Sequence, residues 1–239
     1  MYDWPEIRLF TDKFWTGLAR HMGVIGYLDH DSPYDASWRM PELTFSQTCG
    51  YPLTHEFSGL LKYVATPHYA ADGCDGACYR SIIFARQRFG LEDLLGTKPA
   101  INSIDSMSGF LALKLVFAPF NTSGDFFTSP LITGSHLASM AAVQTGNADV
   151  CAIDCVSVAL ARKYRPEALV GLVEIARSQP VPALPYVTRA QNIDKLRLAL
   201  QKAFKDPELK VTLEALLLND ISVLPDDAYD IIPQLEASL

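Results

Sequence analysis

The sequence predicts an α/β fold, and three observations point to it. Segments with strand character alternate with segments of helical character along most of the chain, and the loops between them are short. The chain has 239 residues, enough for one large domain or two lobes of about a hundred residues each. Hydrophobic residues make up 49% of the chain, which supports a sizeable core.

The first part of the chain is predicted to begin with a helix and to continue with strands. Apolar residues recur at helical spacing over residues 6–22, where "MG" closes an amphipathic helix. A polar connection containing proline follows. Strands are then predicted at 42–47, 61–69 and 78–87, and "TCGYP" after the first of them is predicted to be a turn.

After residue 88 strands and helices alternate regularly. The predicted order is a short helix in "GLEDLLG", a strand in "KPAINS", a helix over 108–118, a strand in "SPLITG", a helix in "SHLASMAAVQTG", a strand in "DVCAID" and a helix in "CVSVALARKY". Two more strands, "GLVEIARS" and "ALPYVTR", precede helical segments at 190–204, 207–218 and 226–238. This alternation is typical of open α/β sheets.

Charge and hydropathy exclude two classes of partner. Twenty Lys and Arg against 27 Asp and Glu give a net charge of −7, and no basic cluster is longer than "ARKYR", so no nucleic acid partner is expected. Polar residues interrupt every apolar stretch, so no membrane insertion is expected.

The start of the chain, "MYDWPEIRLF", does not have the pattern of a signal peptide. We therefore expect a periplasmic protein if a signal precedes it, and a cytoplasmic one if Met1 is the native start.

The five cysteines favour structural thiols over other roles. Cys74 and Cys78 flank "DGA", and Cys151 and Cys155 bracket "AID". Zinc sites usually combine such spacings with two further ligands, so no metal is predicted. A local disulfide between Cys74 and Cys78 remains an alternative. Nothing in the sequence predicts a cofactor.

Turns rich in hydroxyl groups follow four of the predicted strands. They are "SQTCGY", "SIDSMSG", "TGSH" and "IDCVS". Ligands of open α/β sheets bind at the carboxyl ends of strands, where helix N-termini present unpaired N–H groups suited to anions. Ordinary helix capping explains the same residues, so the repetition of the turns is what favours an anion site.

"DSMSGF", followed by "TGSHLASMAAVQTGNADVCAID", is similar to the order in substrate-binding proteins of phosphate, phosphite and phosphonate ABC importers. The similarity runs from about residue 40 to residue 190 and includes the strand "YRSIIFAR". It implies a two-lobed architecture of the type II periplasmic-binding-protein kind, with a hinge of two crossing strands. A small oxyanion would lie between the lobes for import through an ABC permease.

The resemblance also implies the boundaries of the lobes. The first lobe would comprise residues 1–78 and 188–239, and the second residues 86–183. The crossings would lie at 79–85 and 184–187. We expect a monomer or a weak dimer.

Nine residues are implied as ligand contacts. They are Ser106, Ser108, the backbone N–H of Gly109, His136 and Asp154 in the second lobe, Tyr79 on the first crossing strand, and Thr48 with its neighbours Gln47 and Cys49 in the first lobe. Neutral donors of this kind can replace the hydration of an anion without burying free lysines. His136 and Asp154 could instead cap their helices, and Tyr79 could pack between the lobes.

Three positions depart from the family pattern. Met107 stands where family members usually have a threonine between the two serines. Val156 and Leu184 occupy the positions of the acidic residues that hold the amino group of aminoalkylphosphonates. The expected ligand is therefore phosphate, phosphite or a phosphonate without an amino group.

Two other classes of protein remain as alternatives. Cys49, His136 and Asp154 have the residue types of a nucleophile, a base and an orienting acid, and certain menaquinone-pathway dehydratases share the two-lobed architecture and act on small organic acids. However, no G-x-S-x-G, H-E-x-x-H or Walker motif is present, so a binding protein is favoured over an enzyme. A sensor that uses its acidic C-terminal segment on a partner is the third class.

Overall fold

A computed structural model describes residues 2–120 and 127–239. Within these ranges the α-helices are α1 (Arg8–Met22), α2 (Tyr34–Arg39), α3 (Gly50–Thr54), α4 (Ala112–Phe117), α5 (His136–Gln144), α6 (Cys155–Tyr164), α7 (Ile193–Phe204), α8 (Lys210–Ala215) and α9 (Ile231–Glu236). The strands are β1 (Ser46–Gln47), β2 (Lys62–Tyr69), β3 (Cys78–Tyr79), β4 (Ser81–Ala85), β5 (Pro99–Ile101), β6 (Leu131–Ile132), β7 (Val150–Asp154), β8 (Val173–Arg177), β9 (Val181–Pro182), β10 (Tyr186–Thr188) and β11 (Leu218–Ser222). None of the helices in the described part of the chain is long and apolar enough to cross a bilayer.

A π-helical turn, Met107–Leu111, leads directly into α4. The carbonyl of Ser106 accepts from the N–H of Phe110 at 3.2 Å and from the N–H of Leu111 at 3.0 Å. The second of these bonds spans five residues instead of four, so the turn is one residue wider than an α-helical turn. Short 3₁₀ turns occur at Pro5–Ile7, Glu92–Leu94, Ala118–Phe120, Pro166–Leu169 and Pro207–Leu209.

Two compact units make up the described chain. Unit 1 comprises Met1–Ala70, Asp75–Ala77 and Pro182–Tyr229, and unit 2 comprises Ala71–Cys74, Cys78–Val181 and Asp230–Leu239. The expected lobes placed residues 188–239 together, whereas the last ten residues group with unit 2. Residues 81–85, expected in a crossing, form β4 inside the sheet of unit 2, where all five residues are buried.

Unit 1 is built around an antiparallel sheet in the order β1-β10-β2-β11. Helix α1 packs on α7 and α8 within this unit. One part of its core is an aromatic cluster in which Trp38 meets Phe57 edge to face, with Leu61 and Val187 beside them.

Unit 2 contains a five-stranded sheet in the order β6-β5-β7-β4-β8. Strand β5 runs parallel to both β6 and β7, while β4 is antiparallel to its two neighbours. The core lies where α4 covers this sheet, and it includes Ile83, Ile101, Leu113, Phe117 and Val150. Apolar residues from strand and helix are thus buried against each other, as the alternating pattern predicts.

One strand that the sequence does not predict is β11. The helix predicted over 207–218 ends at Ala215, and Leu217 has a left-handed φ of 58°. Leu218 then pairs with Tyr69 of β2. The apolar run "LEALLL" favours a continued helix, but pairing with a distant strand overrides that local preference.

Other elements are shorter or more broken than predicted. The strand predicted at 42–47 is only β1, and the strand predicted at 78–87 is interrupted at Arg80 into β3 and β4. Helices α2 and α3 form in segments predicted to be a connection and a turn. The buried Trp38 explains α2, because its indole packs in the core of unit 1.

Candidate functional site

Three helical segments of unit 2 begin just beyond three neighbouring strands of its sheet. The π-turn and α4 follow β5, helix α5 follows β6, and helix α6 follows β7. Because β5 is parallel to β6 and to β7, the carboxyl ends of the three strands lie at the same edge of the sheet. The helix N-termini therefore converge there, in the arrangement that favours anions.

Each of these helical segments is capped by a polar side chain. Ser106 Oγ accepts from the N–H of Gly109 at 2.9 Å, Ser135 Oγ from the N–H of Ala138 at 3.1 Å, and Asp154 Oδ1 from the N–H of Ser157 at 2.9 Å. The capping interpretation of Ser106 and Asp154 is thus confirmed. Their contacts with a ligand stay predictions.

His136, at the start of α5, contacts side chains at the starts of the other two helical segments. Its Nε2 lies 3.0 Å from Ser108 Oγ and 3.2 Å from Asp154 Oδ2. The exposed fraction of the side chain is 14% for His136 and 3% for Asp154, and Ser108 is also buried. A hydroxyl, an imidazole and a carboxylate that stand on three different helix starts thus form one cluster.

Burial lowers the pKa of His136 below its ordinary value of 6.5, although the charge of Asp154 acts in the opposite direction. The imidazole is therefore neutral at pH 7. A neutral Nε2 either donates to Asp154 or accepts from the Ser108 hydroxyl, depending on the tautomer.

Gly109 and Asn102 are in close contact at the same site. A Cβ on Gly109 would overlap Oδ1 of Asn102 and would lie 2.9 Å from its Cγ. With Asn102 in this position only glycine fits, so the contact with Asn102 accounts for the glycine in "SMSG". Asn102 was not among the predicted site residues, although its place directly after β5 in "NSIDSMSG" was a usable signal.

The other predicted residues lie on different elements. Tyr79 is buried on β3 in unit 2. In unit 1, the Gln47 amide donates to Tyr69 OH at 2.8 Å and to the carbonyl of Leu184 at 3.0 Å. Thr48 is fully buried with its hydroxyl donating to the carbonyl of Cys49 at 3.2 Å. Their roles toward a ligand stay predictions.

No cluster of three or more His, Cys, Asp or Glu side chains suited to a metal ion is found in residues 2–120 and 127–239.

Residues 42–221 match the model of one family, described as the phosphonate ABC transporter periplasmic substrate-binding protein. The match covers most of the chain and includes every element of the cluster. The chain belongs to this family. The phosphonate-binding family consists of periplasmic substrate-binding proteins of ABC transporters, so the chain is a solute-binding protein and the enzyme interpretation is set aside.

Solved structures of similar fold agree with a type II periplasmic-binding-protein architecture. Phosphonate-binding PhnD1 from Prochlorococcus marinus, in complex with methylphosphonate, has a TM-score of 0.77 at 14% identity and covers 98% of this chain and 92% of its own. A binding protein of an ABC phosphonate transporter from Pseudomonas aeruginosa has a TM-score of 0.74 at 21% identity, with 95% and 80% covered. A Xanthomonas citri protein bound to ATP has a TM-score of 0.70 at 19% identity, with 95% and 90% covered.

Membership of the phosphonate-binding family implies a small ligand and a permease as partner. Family members are normally periplasmic.

The lowered pKa of His136 predicts a pH dependence of stability. Because the folded-state pKa lies below the unfolded value of 6.5, the unfolded chain takes up a proton first as the pH falls. Stability is therefore fully present above pH 6.5 and is lost below it, by at most about 1.4 kcal/mol per pH unit.

The measurement is urea unfolding of the wild type and of His136→Gln between pH 7.5 and 5. We expect the free energy of unfolding to fall less steeply in the variant, and NMR titration to place the His136 pKa below 6.5. Equal slopes together with a His136 pKa at or above 6.5 would contradict the prediction.

Proposed function

We propose that unit 2 binds a small phosphorus oxyanion: phosphate, phosphite or a phosphonate without an amino group. The observation that carries the proposal is the hydrogen-bonded pair of Ser108 and His136, 3.0 Å apart, on the starts of two helical segments that follow adjacent parallel strands. Ser106 and the N–H of Gly109 stand on the first of these starts.

Neutral donors are well suited to this ligand. Hydroxyl and imidazole groups together with helix N-termini can replace the water around an anion, and a charge-assisted hydrogen bond is stronger than a neutral one. Ser106, Ser108 and His136 are each largely buried, so water competes little for these donors.

Asp154 favours an oxyanion that carries a proton. Its carboxylate is buried beside His136, where it would repel a fully deprotonated anion and would accept a hydrogen bond from a P–OH group. Sulfate has no such proton at neutral pH. We therefore expect sulfate to bind more weakly than the cognate phosphorus oxyanion.

Val156 argues against a ligand with an ammonium group. It is a buried apolar residue of unit 2, 0% exposed, at a position where the family resemblance implies an acidic residue. Its side chain cannot pair with a positive charge, and an unpaired buried ammonium would be costly. Methylphosphonate, the ligand of the Prochlorococcus protein of similar fold, meets this requirement.

We also propose that the protein acts in the periplasm and delivers its ligand to an ABC permease. The family description supports this location and this partner.

Calorimetry and thermal shift measurements test the proposal. Protein that has been unfolded and refolded to remove carried-over ligand is titrated with phosphate, phosphite, methylphosphonate, 2-aminoethylphosphonate, sulfate and acetate. A ligand at 100 times its Kd stabilises the folded state by about 2.7 kcal/mol, which raises the Tm measurably.

We expect a phosphorus oxyanion without an amino group to give the largest Tm increase and the lowest Kd. Tightest binding of 2-aminoethylphosphonate would overturn the ligand class, and equal binding of sulfate would overturn the role of Asp154. The absence of binding by every phosphorus compound would overturn the proposed function.

A further inference from the structure

Two cysteines that are far apart in the sequence lie side by side in unit 2. The Sγ atoms of Cys74 and Cys155 are 3.3 Å apart across a separation of 81 residues. All five cysteines are within the described residues, and none of them is joined to another by a disulfide. The sequence left open a disulfide between Cys74 and Cys78, but the thiol 3.3 Å from Cys74 belongs to Cys155.

Two further contacts hold the segment Ala71–Cys74 against unit 2. Asp72 forms a bidentate ion pair with Arg177, at 3.0 Å to Nη1 and 2.8 Å to Nη2. Gly73, with a left-handed φ of 104°, approaches Cys155 so closely that a Cβ on Gly73 would lie 2.9 Å from the Cβ of Cys155. The proximity of the two thiols is therefore built into the backbone of this segment.

We propose that Cys74 and Cys155 form a disulfide when the protein meets a disulfide oxidant such as oxidised glutathione. The Sγ atoms need to approach from 3.3 Å to about 2.05 Å. The family is normally periplasmic, and disulfides form and persist in that compartment.

The reaction is a thiol–disulfide exchange in two steps. Cys74 is partly exposed and Cys155 is buried, so the oxidant reaches Cys74, although the hydrogen bond with Cys155 raises the pKa of Cys74. Cys74 loses its proton and attacks the oxidant, and one glutathione thiolate leaves. Cys155 then loses its proton and attacks Cys74 Sγ, and the second glutathione leaves. Two protein thiols are oxidised by two electrons, and one glutathione disulfide is reduced to two thiols.

The new bond would link the start of α6 to the segment Ala71–Cys74. Cys155 is the first residue of α6 and follows Asp154, the cap that contacts His136. Residues on both sides of Ala71–Cys74 group with unit 1. The disulfide would therefore link the segment Ala71–Cys74 covalently to α6, the helix whose cap Asp154 belongs to the candidate site.

Peptide mapping by mass spectrometry under non-reducing conditions tests the proposal. The full chain is incubated with oxidised glutathione, and remaining thiols are alkylated before digestion. We expect a linked peptide pair containing Cys74 and Cys155, and a Tm about 5 to 15 °C above that of the reduced protein. A Cys74–Cys78 link, or no link after prolonged oxidation, would overturn the proposal.

Single substitutions separate this pair from its neighbours. Cys74→Ser should abolish the Tm increase on oxidation, whereas the matched control Cys78→Ser should retain both the linked peptide and the increase. Loss of the linked peptide in Cys78→Ser, or a retained Tm increase in Cys74→Ser, would contradict the assignment. Cys74→Ser is preferred to Cys155→Ser because Cys155 is 1% exposed in the core.

A glycine pair tests the geometry without removing a thiol. Gly73→Ala pushes the segment away from Cys155, so we expect oxidation at least tenfold slower than in the wild type. Gly76 also has a left-handed φ, 53°, but a Cβ there would meet no atom within 4 Å, so Gly76→Ala should oxidise at close to the wild-type rate. A wild-type rate in Gly73→Ala would overturn the claim that this close approach forms the bond.

Discussion

Replacing Gly109 with alanine is expected to destabilise the protein by about 1 to 3 kcal/mol and to abolish high-affinity oxyanion binding. The added Cβ would overlap Oδ1 of Asn102, lie 2.9 Å from its Cγ and lie 3.2 Å from Ser106 Oγ. The Asn102 carboxamide would have to rotate away, and the Ser106 hydroxyl would have to shift with it. That movement would also break the 2.9 Å hydrogen bond from the N–H of Gly109 to Ser106.

Urea unfolding and calorimetry check this result against two controls. Gly26→Ala should leave stability nearly unchanged, because the nearest atom to its Cβ would be Trp15 Cζ2 at 3.7 Å. The double variant Asn102→Ala/Gly109→Ala should recover part of the lost stability, since the obstructing amide is gone. If Gly109→Ala is as stable as Gly26→Ala, the close packing of Asn102 and Gly109 does not restrict this turn.

Replacing Ser108 with alanine is expected to weaken oxyanion binding by roughly 1.5 to 3 kcal/mol, or about tenfold to a hundredfold in Kd. The hydroxyl is buried, lies 3.0 Å from His136 Nε2 and stands in the first turn of its helical segment. Its loss removes one charge-assisted donor and one partner of the imidazole.

Calorimetry with the best phosphorus ligand of the wild type measures this effect. Ser58→Ala is the matched control, because Ser58 is an exposed serine of unit 1. An affinity of Ser108→Ala equal to that of Ser58→Ala would show that "DSMSG" is a helix cap and that the ligand binds elsewhere.

The sequence predicts most of unit 2 because its signals there are local. A short continuous apolar run defines β7 and a helical pattern defines α6, and the polar residues that precede the helices act as caps in the structure. By contrast, β11 depends on the left-handed Leu217 and on pairing with β2, a strand almost 150 residues earlier in the chain. No window of local sequence carries that information.

The sequence predicts which residues belong to the candidate site but not which of their side chains contact each other. Ser108, His136 and Asp154 follow from turns after strands and from the family resemblance. Their meeting at one imidazole depends on the strand order β6-β5-β7. The contacts of Asn102 with Gly109 and of Cys74 with Cys155 likewise arise only when distant backbone segments are brought together.

The wide turn Met107–Leu111 sets the rotation, around the helix axis, between the face that carries Ser108 and the face that packs in the core. One residue corresponds to about 100° of rotation around a helix axis. Ser108 lies within this turn, whereas Leu113 and Phe117, both 0% exposed, are anchored in the core after it. Shortening this turn by one residue would leave the core contacts in place and rotate the Ser108 hydroxyl away from His136.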